Sequence, residues 1–148
     1  MKWLLDTNVI SEGVQLRPNQ KVVGWIASKG PEALAISIVT LAELRDGAST
    51  VRDEARRNFL MDWIESEVVG SFRDRTLVLT TEILVDWLRL TRRLRAQGSP
   101  RPSTDLLIAA TARVHEMIVV SRNTRDFADT GVMLFDPWSG ETHHMESA

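Results

Sequence analysis

Four acidic side chains stand at positions where a protein built on parallel strands gathers its ligands. Asp6 ends an apolar run, KWLL, that is too short for a helix and is typical of a buried strand. Asp126 follows the apolar run MIVV, Glu43 comes one helical turn after LAIS, and Asp105 follows the loop QGSPRP at the start of a predicted helix. Because ligands collect at the carboxyl ends of strands in open parallel sheets, such a fold could bring these four carboxylates together.

Each of these acids also has a structural explanation, which is favoured while the acid is considered alone. Asp6 could cap the helical turn behind it, and Asp126 could form an Asx turn. Thr40 and Glu43 have the spacing of a capping box. Asp105 would complement the dipole of its helix, as any acid in a first turn does. Only the joint pattern favours a functional site.

Grouped carboxylates repel one another unless a cation neutralises them. Mg²⁺ prefers oxygen ligands and usually takes a few carboxylates together with water and phosphate oxygens. A site of this kind can activate water and stabilise a phosphoryl transition state. Zinc is disfavoured because no histidine stands at a candidate position. The pattern therefore predicts a site for a hard divalent cation.

The elements that must position these acids alternate along the chain. Short apolar runs predict strands at 2–5, 34–37, 76–79, 117–120 and 132–135. Periodic apolar patterns and capping residues predict helices at about 8–12, 19–29, 40–47, 53–69, 81–94 and 103–116. Strands that alternate with helices predict an α/β layer structure with a mainly parallel sheet. One domain over 1–138 accommodates all of these elements, and the polar residues 139–148 are expected to form a disordered tail.

Composition excludes several classes of protein. The 148 residues suit a single domain with a hydrophobic core, and the net charge of −2 gives no general attraction to nucleic acid. The absence of cysteine excludes disulfides, zinc fingers and thiol nucleophiles and favours the cytoplasm. No apolar run approaches the roughly 20 residues that span a membrane, and no signal peptide is expected. Arginines are clustered and suit phosphate binding or a solvated helix face; the clusters are Arg52, Arg56 and Arg57, and Arg89, Arg92, Arg93 and Arg95.

Five ordered blocks give the chain a resemblance to a known family. They are LLDTNVISE, SIVTLAELRDG, STDLLIAATA, VVSRNTRDF and GVMLFDPW, and together they span about 3–138. The set resembles the PIN-domain ribonucleases, and more narrowly the VapC/FitB-type toxins of bacterial type II toxin–antitoxin pairs, sometimes labelled plasmid stability proteins. The resemblance implies a three-layer PIN-like fold, here with a five-stranded sheet, and endonucleolytic cleavage of RNA that depends on Mg²⁺ or Mn²⁺.

The resemblance also assigns roles by position. The catalytic and metal-binding set would be Asp6, Glu43, Asp105 and Asp126, which hold the ion or ions that activate water for attack on an RNA phosphodiester. The supporting polar positions would be Thr7, Asn8, Ser121 and Asn123. Three positions depart from the family pattern: Ser121 replaces a common Thr, Thr104 replaces a branched apolar residue, and Asp46 stands where relatives often carry Arg.

The partners implied by the resemblance are the RNA substrate, a cognate antitoxin and a second copy of the chain. The C-terminal segment of the antitoxin would enter the active-site groove, and operator DNA would be bound only through the antitoxin. Arg45 and Arg122 are weak candidates for RNA phosphate contacts, and either could be an ordinary ion-pair partner. Trp63 could lie in a dimer interface or in the core.

Two alternatives belong to other classes of function. An aspartate-nucleophile phosphatase or receiver domain is disfavoured because the phosphatase pattern needs a second Asp at the position of Asn8, and because no lysine follows Lys29. The other alternative is a catalytically inactive PIN-like module that only binds a protein partner. Nothing in the sequence supports that module while all four acids are present.

Overall fold

A six-stranded sheet forms the centre of the molecule in the computed structural model, which describes residues 1–146. Its order is β3-β2-β1-β4-β5-β6, and all neighbours are parallel except β5 and β6. The strands are β1 (Trp3–Leu5), β2 (Leu34–Ser37), β3 (Thr76–Leu77), β4 (Ile118–Val120), β5 (Met133–Asp136) and β6 (Glu141–His144). The α/β prediction is confirmed, with six strands where five were expected.

The additional strand corrects the prediction of a disordered tail. Glu141–His144 pairs with Met133–Asp136 through a turn in which Gly140 has φ +80° and the Asp136 carboxylate accepts the Trp138 N–H at 2.8 Å. The sequence ETHH carries no apolar alternation, because an edge strand can leave its side chains in water while its backbone completes the sheet. Residues 147–148 of the expected tail lie outside the described residues.

Helices cover both faces of the sheet. They are α1 (Thr7–Glu12), α2 (Gln20–Ser28), α3 (Ile38–Ser49), α4 (Glu54–Trp63), α5 (Val69–Ser71), α6 (Thr81–Ala96) and α7 (Ser103–Val114), with short 3₁₀ turns at Pro31–Ala33 and Thr124–Phe127. The predicted helix at 53–69 is interrupted by a π turn at Ile64–Val68. In the described part of the chain, no helix is sufficiently long and apolar to span a membrane.

Alternation within the short strands creates two hydrophobic cores. Leu4 and Val119 pack with α6 and α7 on one face of the sheet, whereas Leu5 and Val120 pack with α1 and α3 on the other. Successive side chains of a strand point to opposite faces, so a continuous apolar run is buried on both. The helical layers are therefore fixed by strands of only three or four residues.

The position of β1 creates the crevice where a ligand would be expected. The chain proceeds from β1 to β2 and β3 on one side and then returns to β4 on the other side of β1. Parallel sheets bind ligands at such a reversal of strand order, beyond the carboxyl ends of the strands. The residues that follow β1 and β4 must therefore flank the candidate site.

Core packing of α6 can be tested with two matched leucines. Leu94 is fully buried, whereas Leu88 on the same helix is 52% exposed. We expect Leu94→Ala to lower the free energy of unfolding by about 2–5 kcal/mol, and Leu88→Ala to change it by less than about 1 kcal/mol. Urea unfolding followed by tryptophan fluorescence measures both; equal losses would contradict the proposed burial.

Candidate active site

Asp6 is a buried carboxylate held by three donors. It directly follows β1, is 2% exposed, and accepts hydrogen bonds from the Thr7 backbone N–H (2.8 Å), the Ser121 hydroxyl (2.7 Å) and the Asn8 amide (3.2 Å). Burial raises the pKa of Asp6 and nearby Asp126 raises it further, while the three hydrogen bonds oppose both effects. Asp6 is also the N-cap of α1, so its capping role and its place in the site coexist.

Strand register brings Ser121 to Asp6. Leu5 pairs with Val120, and the Asp6 N–H donates to the Val120 carbonyl at 2.9 Å, so the residues that follow the two strands are neighbours. Asn8 then joins the two ends, since its amide donates to the Ser121 hydroxyl at 3.0 Å as well as to Asp6. The network thus connects α1 directly to the end of β4.

Asn123, the last of the predicted supporting residues, contacts the site network through its backbone. Asn123 contributes its backbone N–H, which donates to the Ser121 hydroxyl at 3.0 Å. The Arg122 backbone N–H donates to the Asn8 side-chain oxygen at 3.4 Å. The loop after β4 is therefore fastened to α1 through Ser121 and Asn8.

Glu43 faces the same crevice from α3. Its Oε1 accepts the Thr7 hydroxyl at 2.8 Å. Burial raises the pKa of Glu43 and the Asp6 carboxylate adds to the rise, whereas hydrogen bonds from Thr7 and Thr104 oppose it. The Thr104 contact was missed by the sequence analysis, in which that residue was only a departure from the family pattern. Thr104 and Glu43 are 61 positions apart in the chain, so local spacing does not indicate that they are in contact.

The capping-box explanation of Glu43 is wrong. Helix α3 begins at Ile38, earlier than the predicted start at residue 40, because the Ser37 hydroxyl accepts the Val39 N–H at 3.0 Å and caps the helix. Thr40 is consequently a buried residue inside the helix rather than its cap. Glu43 is left to interact with Thr7.

Asp105 lies in the first turn of α7, as predicted, but its environment disfavours the charge. Its pKa is raised to about 7 by burial, with further contributions from Asp6, Asp126 and Glu43. A helix N-terminus favours an ionised acid, so burial and the like charges outweigh the dipole here. Asp126 approaches from the 3₁₀ turn Thr124–Phe127. All four predicted acids therefore act on one another in one crevice.

The charge of this cluster lacks a compensating cation within residues 1–146. The ion pairs there are Arg45–Glu65, Arg101–Asp129, Arg113–Asp86 and His143–Glu141, and none involves the four acids. Uncompensated charge near the interior is unfavourable. Three of the cluster's carboxyl groups accordingly have raised pKa values, those of Asp6, Glu43 and Asp105.

The donor chemistry fits a hard cation, although the protein provides no closed ligand cage. Within residues 1–146, no group of three or more Asp, Glu, His or Cys side chains is arranged to hold a metal ion. Mg²⁺ commonly takes only one or two carboxylates and completes its shell with water and substrate phosphate. A cluster of carboxylates with excess negative charge suits an ion that keeps several ligands from water and substrate.

The two arginine candidates differ in their surroundings. Arg45 forms a two-point ion pair with Glu65, with Nε to Oε1 at 2.8 Å and Nη2 to Oε2 at 3.1 Å, so the ion-pair explanation holds for it. The guanidinium of Arg122 lies 4.8 Å from the ring centroid of Trp138. Arg122 is exposed and lines an open groove together with Asn8.

Two arginine contacts to Asp129, which together we call the brace, were not predicted from the sequence. Arg101, in the loop before α7, reaches Asp129 with Nη2 at 3.4 Å from Oδ2, and Arg93 donates to the Asp129 carbonyl at 2.6 Å. Asp129 has φ +64° in the turn after the 3₁₀ segment that carries Asp126. The brace therefore connects the loop leading to Asp105 with the turn following Asp126.

The raised pKa of Asp105 predicts how stability depends on pH in the absence of divalent ions. The unfolded chain ionises this group near its ordinary value of 3.8, but the folded protein resists ionisation until about pH 7. Between these two pH values Asp105 is protonated in the folded protein and ionised in the unfolded chain. The free energy of unfolding therefore falls as pH rises from about 4 to about 7. We expect Asp105→Asn to weaken this dependence and, in EDTA above about pH 7, to exceed the wild type in stability.

Urea midpoints across this pH range provide the measurement. Asp46→Asn is the matched control, because it removes one exposed carboxylate outside the cluster. If Asp105→Asn were less stable than the wild type above pH 7 in EDTA, burial and like charge would not be the dominant effects on Asp105.

Comparison with known proteins places this geometry in a family. Residues 3–133 match the PIN domain. Toxin FitB of Neisseria gonorrhoeae is 33% identical over 135 residues, which cover 91% of this chain and 97% of FitB. VapC ribonuclease Y4jK of Sinorhizobium fredii is also 33% identical over 135 residues, covering 91% of this chain and 96% of that protein.

Solved structures agree with the sequence relatives. A chain from the structure of FitAB bound to the IR36 DNA fragment superposes with a TM-score of 0.86 at 34% identity, covering 96% of this chain and 99% of that one. VapBC-5 of Mycobacterium tuberculosis, a member of the VapBC family of toxin–antitoxin systems, gives a TM-score of 0.63 at 27% identity, with 85% and 87% of the chains covered. The chain therefore belongs to the PIN domain family.

Proposed function

We propose that this protein is a metal-dependent endoribonuclease and the toxin of a toxin–antitoxin pair. The observation that carries the proposal is the convergence of four carboxylates at the β1/β4 crevice, with no ion pair to compensate them within residues 1–146. The pKa values of Asp6, Glu43 and Asp105 are raised there. The relatives support the reaction class, since one is named a VapC ribonuclease and another a toxin.

The proposed ligands are Asp6, Glu43 and Asp105, with Asp126 completing a second position or orienting water. A bound Mg²⁺ or Mn²⁺ would supply charge neutralisation and Lewis-acid polarisation of the scissile phosphodiester. The protein's own contribution is to fix the carboxylates before substrate arrives. Partners that orient such ligands are part of the design of a metal site.

Two of the proposed ligands, Asp6 and Glu43, are oriented by hydrogen bonds from other elements. Ser121 and Asn8 both donate to Oδ2 of Asp6, which favours one orientation of its carboxylate. Thr7 and Thr104 hold Glu43 from α1 and α7. Because these donors lie on elements anchored in both cores, the cluster keeps its geometry despite its internal repulsion.

The proposed partners are RNA as substrate, a cognate antitoxin, and a second copy of this chain. Operator DNA would be contacted through the antitoxin, in keeping with the FitAB structure that contains a DNA fragment. Trp63 packs against the core cluster that includes Ile64, so core packing already accounts for that side chain. The homodimer proposal therefore rests on the family and not on Trp63.

Substitution of the acids tests the reaction. We expect Asp6→Asn and Asp105→Asn each to lower RNA cleavage by more than about 100-fold, since a metal-held charge contributes several kcal/mol to the transition state. EDTA should abolish cleavage, and Mg²⁺ or Mn²⁺ should restore it. Cleavage by purified protein, assayed on total RNA free of antitoxin, measures these effects.

The control for this experiment is Asp46→Asn, which removes an exposed acid and should retain full activity. Cleavage that persists in EDTA or in Asp6→Asn would overturn the proposed mechanism. A wild-type protein that cleaves no RNA with either metal would favour the inactive protein-binding module instead.

The orienting residues should have smaller and separable effects. Ser121→Ala removes a donor to Asp6, and Thr104→Val removes the hydroxyl that contacts Glu43. We expect each to weaken Mn²⁺ affinity or activity by about 10–100-fold. Ser121→Thr, which keeps the hydroxyl, should retain most of both. Mn²⁺ titration by calorimetry and initial cleavage rates measure the series, and an Ser121→Ala variant equal to wild type in both would show that Asp6 needs no such donor.

A further inference from the structure

An open groove lies along α1 and the segment that follows it, beside the acid cluster. Its volume is about 820 Å³, and its lining includes Asn8, Arg17 and Arg122. Polar side chains of Ser11 and Gln15 complete much of its lining. A volume in the range of about 300–1,000 Å³ accommodates a ligand of drug or nucleotide size. The groove is thus large enough for part of a nucleic-acid strand.

The groove adjoins the acid cluster at Asn8, which lines the groove and contacts Asp6. Asn8 donates to the Asp6 carboxylate, while its side-chain oxygen accepts the Arg122 N–H at 3.4 Å. A strand with one phosphate at the acid cluster would have this groove beside it, with Asn8 between the two regions. The two regions share Asn8 as their boundary.

The groove carries the positive charge that the cluster lacks. Arg17 and Arg122 both border it, and neither is in an ion pair in the part of the chain that the structure describes. The one acid in its lining, Glu12, accepts the Asn19 N–H at 2.9 Å. The Arg122 guanidinium makes a cation–π contact with Trp138, 4.8 Å from the ring centroid, which favours its position beside the groove. Its N–H edges can still bind an anion, since a guanidinium pairs with phosphate in its own plane.

The four carboxylates and the two arginines beside them favour a ligand with several phosphates. Negative potential at four carboxylates repels every phosphate of a polynucleotide except the one neutralised by a cation. Arginines immediately outside the cluster offset that repulsion for the neighbouring phosphates. A groove of about 820 Å³ has room for a short stretch of one strand, which is why we take single-stranded rather than base-paired RNA as its ligand. Leu16, which is 95% exposed in the lining, offers an apolar contact to an unstacked base.

We infer that Arg17 and Arg122 bind the backbone phosphates of single-stranded RNA on one side of the scissile phosphodiester. The inference rests on the proposed ribonuclease function and assigns it a strand path and a preference for unpaired RNA. The two arginines act in binding, so their loss should raise KM with much less effect on kcat.

The test compares two double variants that remove the same charge. Arg17→Ala/Arg122→Ala alters the groove, while Arg89→Ala/Arg92→Ala removes two exposed arginines of α6 that do not border it. Both are placed in an Asp6→Asn background to prevent cleavage. The probe is a fluorescein-labelled single-stranded RNA of about 12 nucleotides, and binding is followed by fluorescence anisotropy at several salt concentrations.

We expect the groove variant to bind at least about tenfold more weakly, since each arginine loses a charge-assisted hydrogen bond. The slope of log K against log salt should fall by about 1.4, or about 0.7 for each phosphate released. The α6 control should change both quantities much less. A duplex RNA of the same length should compete poorly.

Equal losses in the two double variants would overturn the inference, because the arginines would then contribute only net charge. Equal binding of duplex RNA would overturn it as well. Cleavage assays with an intact Asp6 separate this inference from the proposed function. If the wild type cleaves RNA and the groove variant has an unchanged KM, only the groove assignment fails. If the wild type cleaves no RNA, the ribonuclease proposal fails, whatever the binding assay gives.

Discussion

The burial of one carboxylate constrains most of this structure. Asp6 is removed from water at the end of the central strand, where its charge must be satisfied by donors or by a cation. Three donors are present, but together they do not cancel the cost of burial, since the pKa of Asp6 is raised. The nearby carboxylate of Asp126 raises the pKa of Asp6 further. A polar site of this kind persists only because the elements around it are fixed by hydrophobic packing.

Strand register determines which polar side chains lie next to Asp6. Pairing of Leu5 with Val120 sets Asp6 beside Ser121, and a one-residue slip would send each side chain to the opposite face of the sheet. The slip is prevented because Leu4 and Leu5 are buried in different cores. The geometry at Asp6 is therefore specified by apolar residues that never touch the ligand.

Sequence patterns predicted the parts of the fold that depend on local order. The alternation of strands and helices, and the place of Asp105 in a first helical turn, follow from periodicity and capping and were confirmed. The polar strand β6 was missed, because pairing of an exposed edge needs no apolar pattern. The start of α3 was placed late, since Ser37 and Thr40 are both capable caps and only the structure selects between them.

The sequence identified the four acids of the candidate site but not the contacts around them. Acids at element ends can be recognised from spacing, whereas the contact of Thr104 with Glu43 joins residues far apart in the chain. The same holds for Arg101 and Asp129, which are 28 residues apart. Such contacts arise from the packing of α7 against its neighbours, and no local pattern encodes them.

Two arrangements of positive charge explain how a repulsive cluster is kept together and made useful. Arg101 and Arg93 both contact Asp129, so the segments that carry Asp105 and Asp126 are linked outside the acid cluster. In front of it, Arg122 lies on Trp138 beside the open groove. Neither arrangement places an arginine in the cluster, where it would neutralise the carboxylates and remove their need for a cation. Arginines at the edges leave the charge of the carboxylates available to the proposed metal ion and offset their repulsion of the proposed RNA substrate.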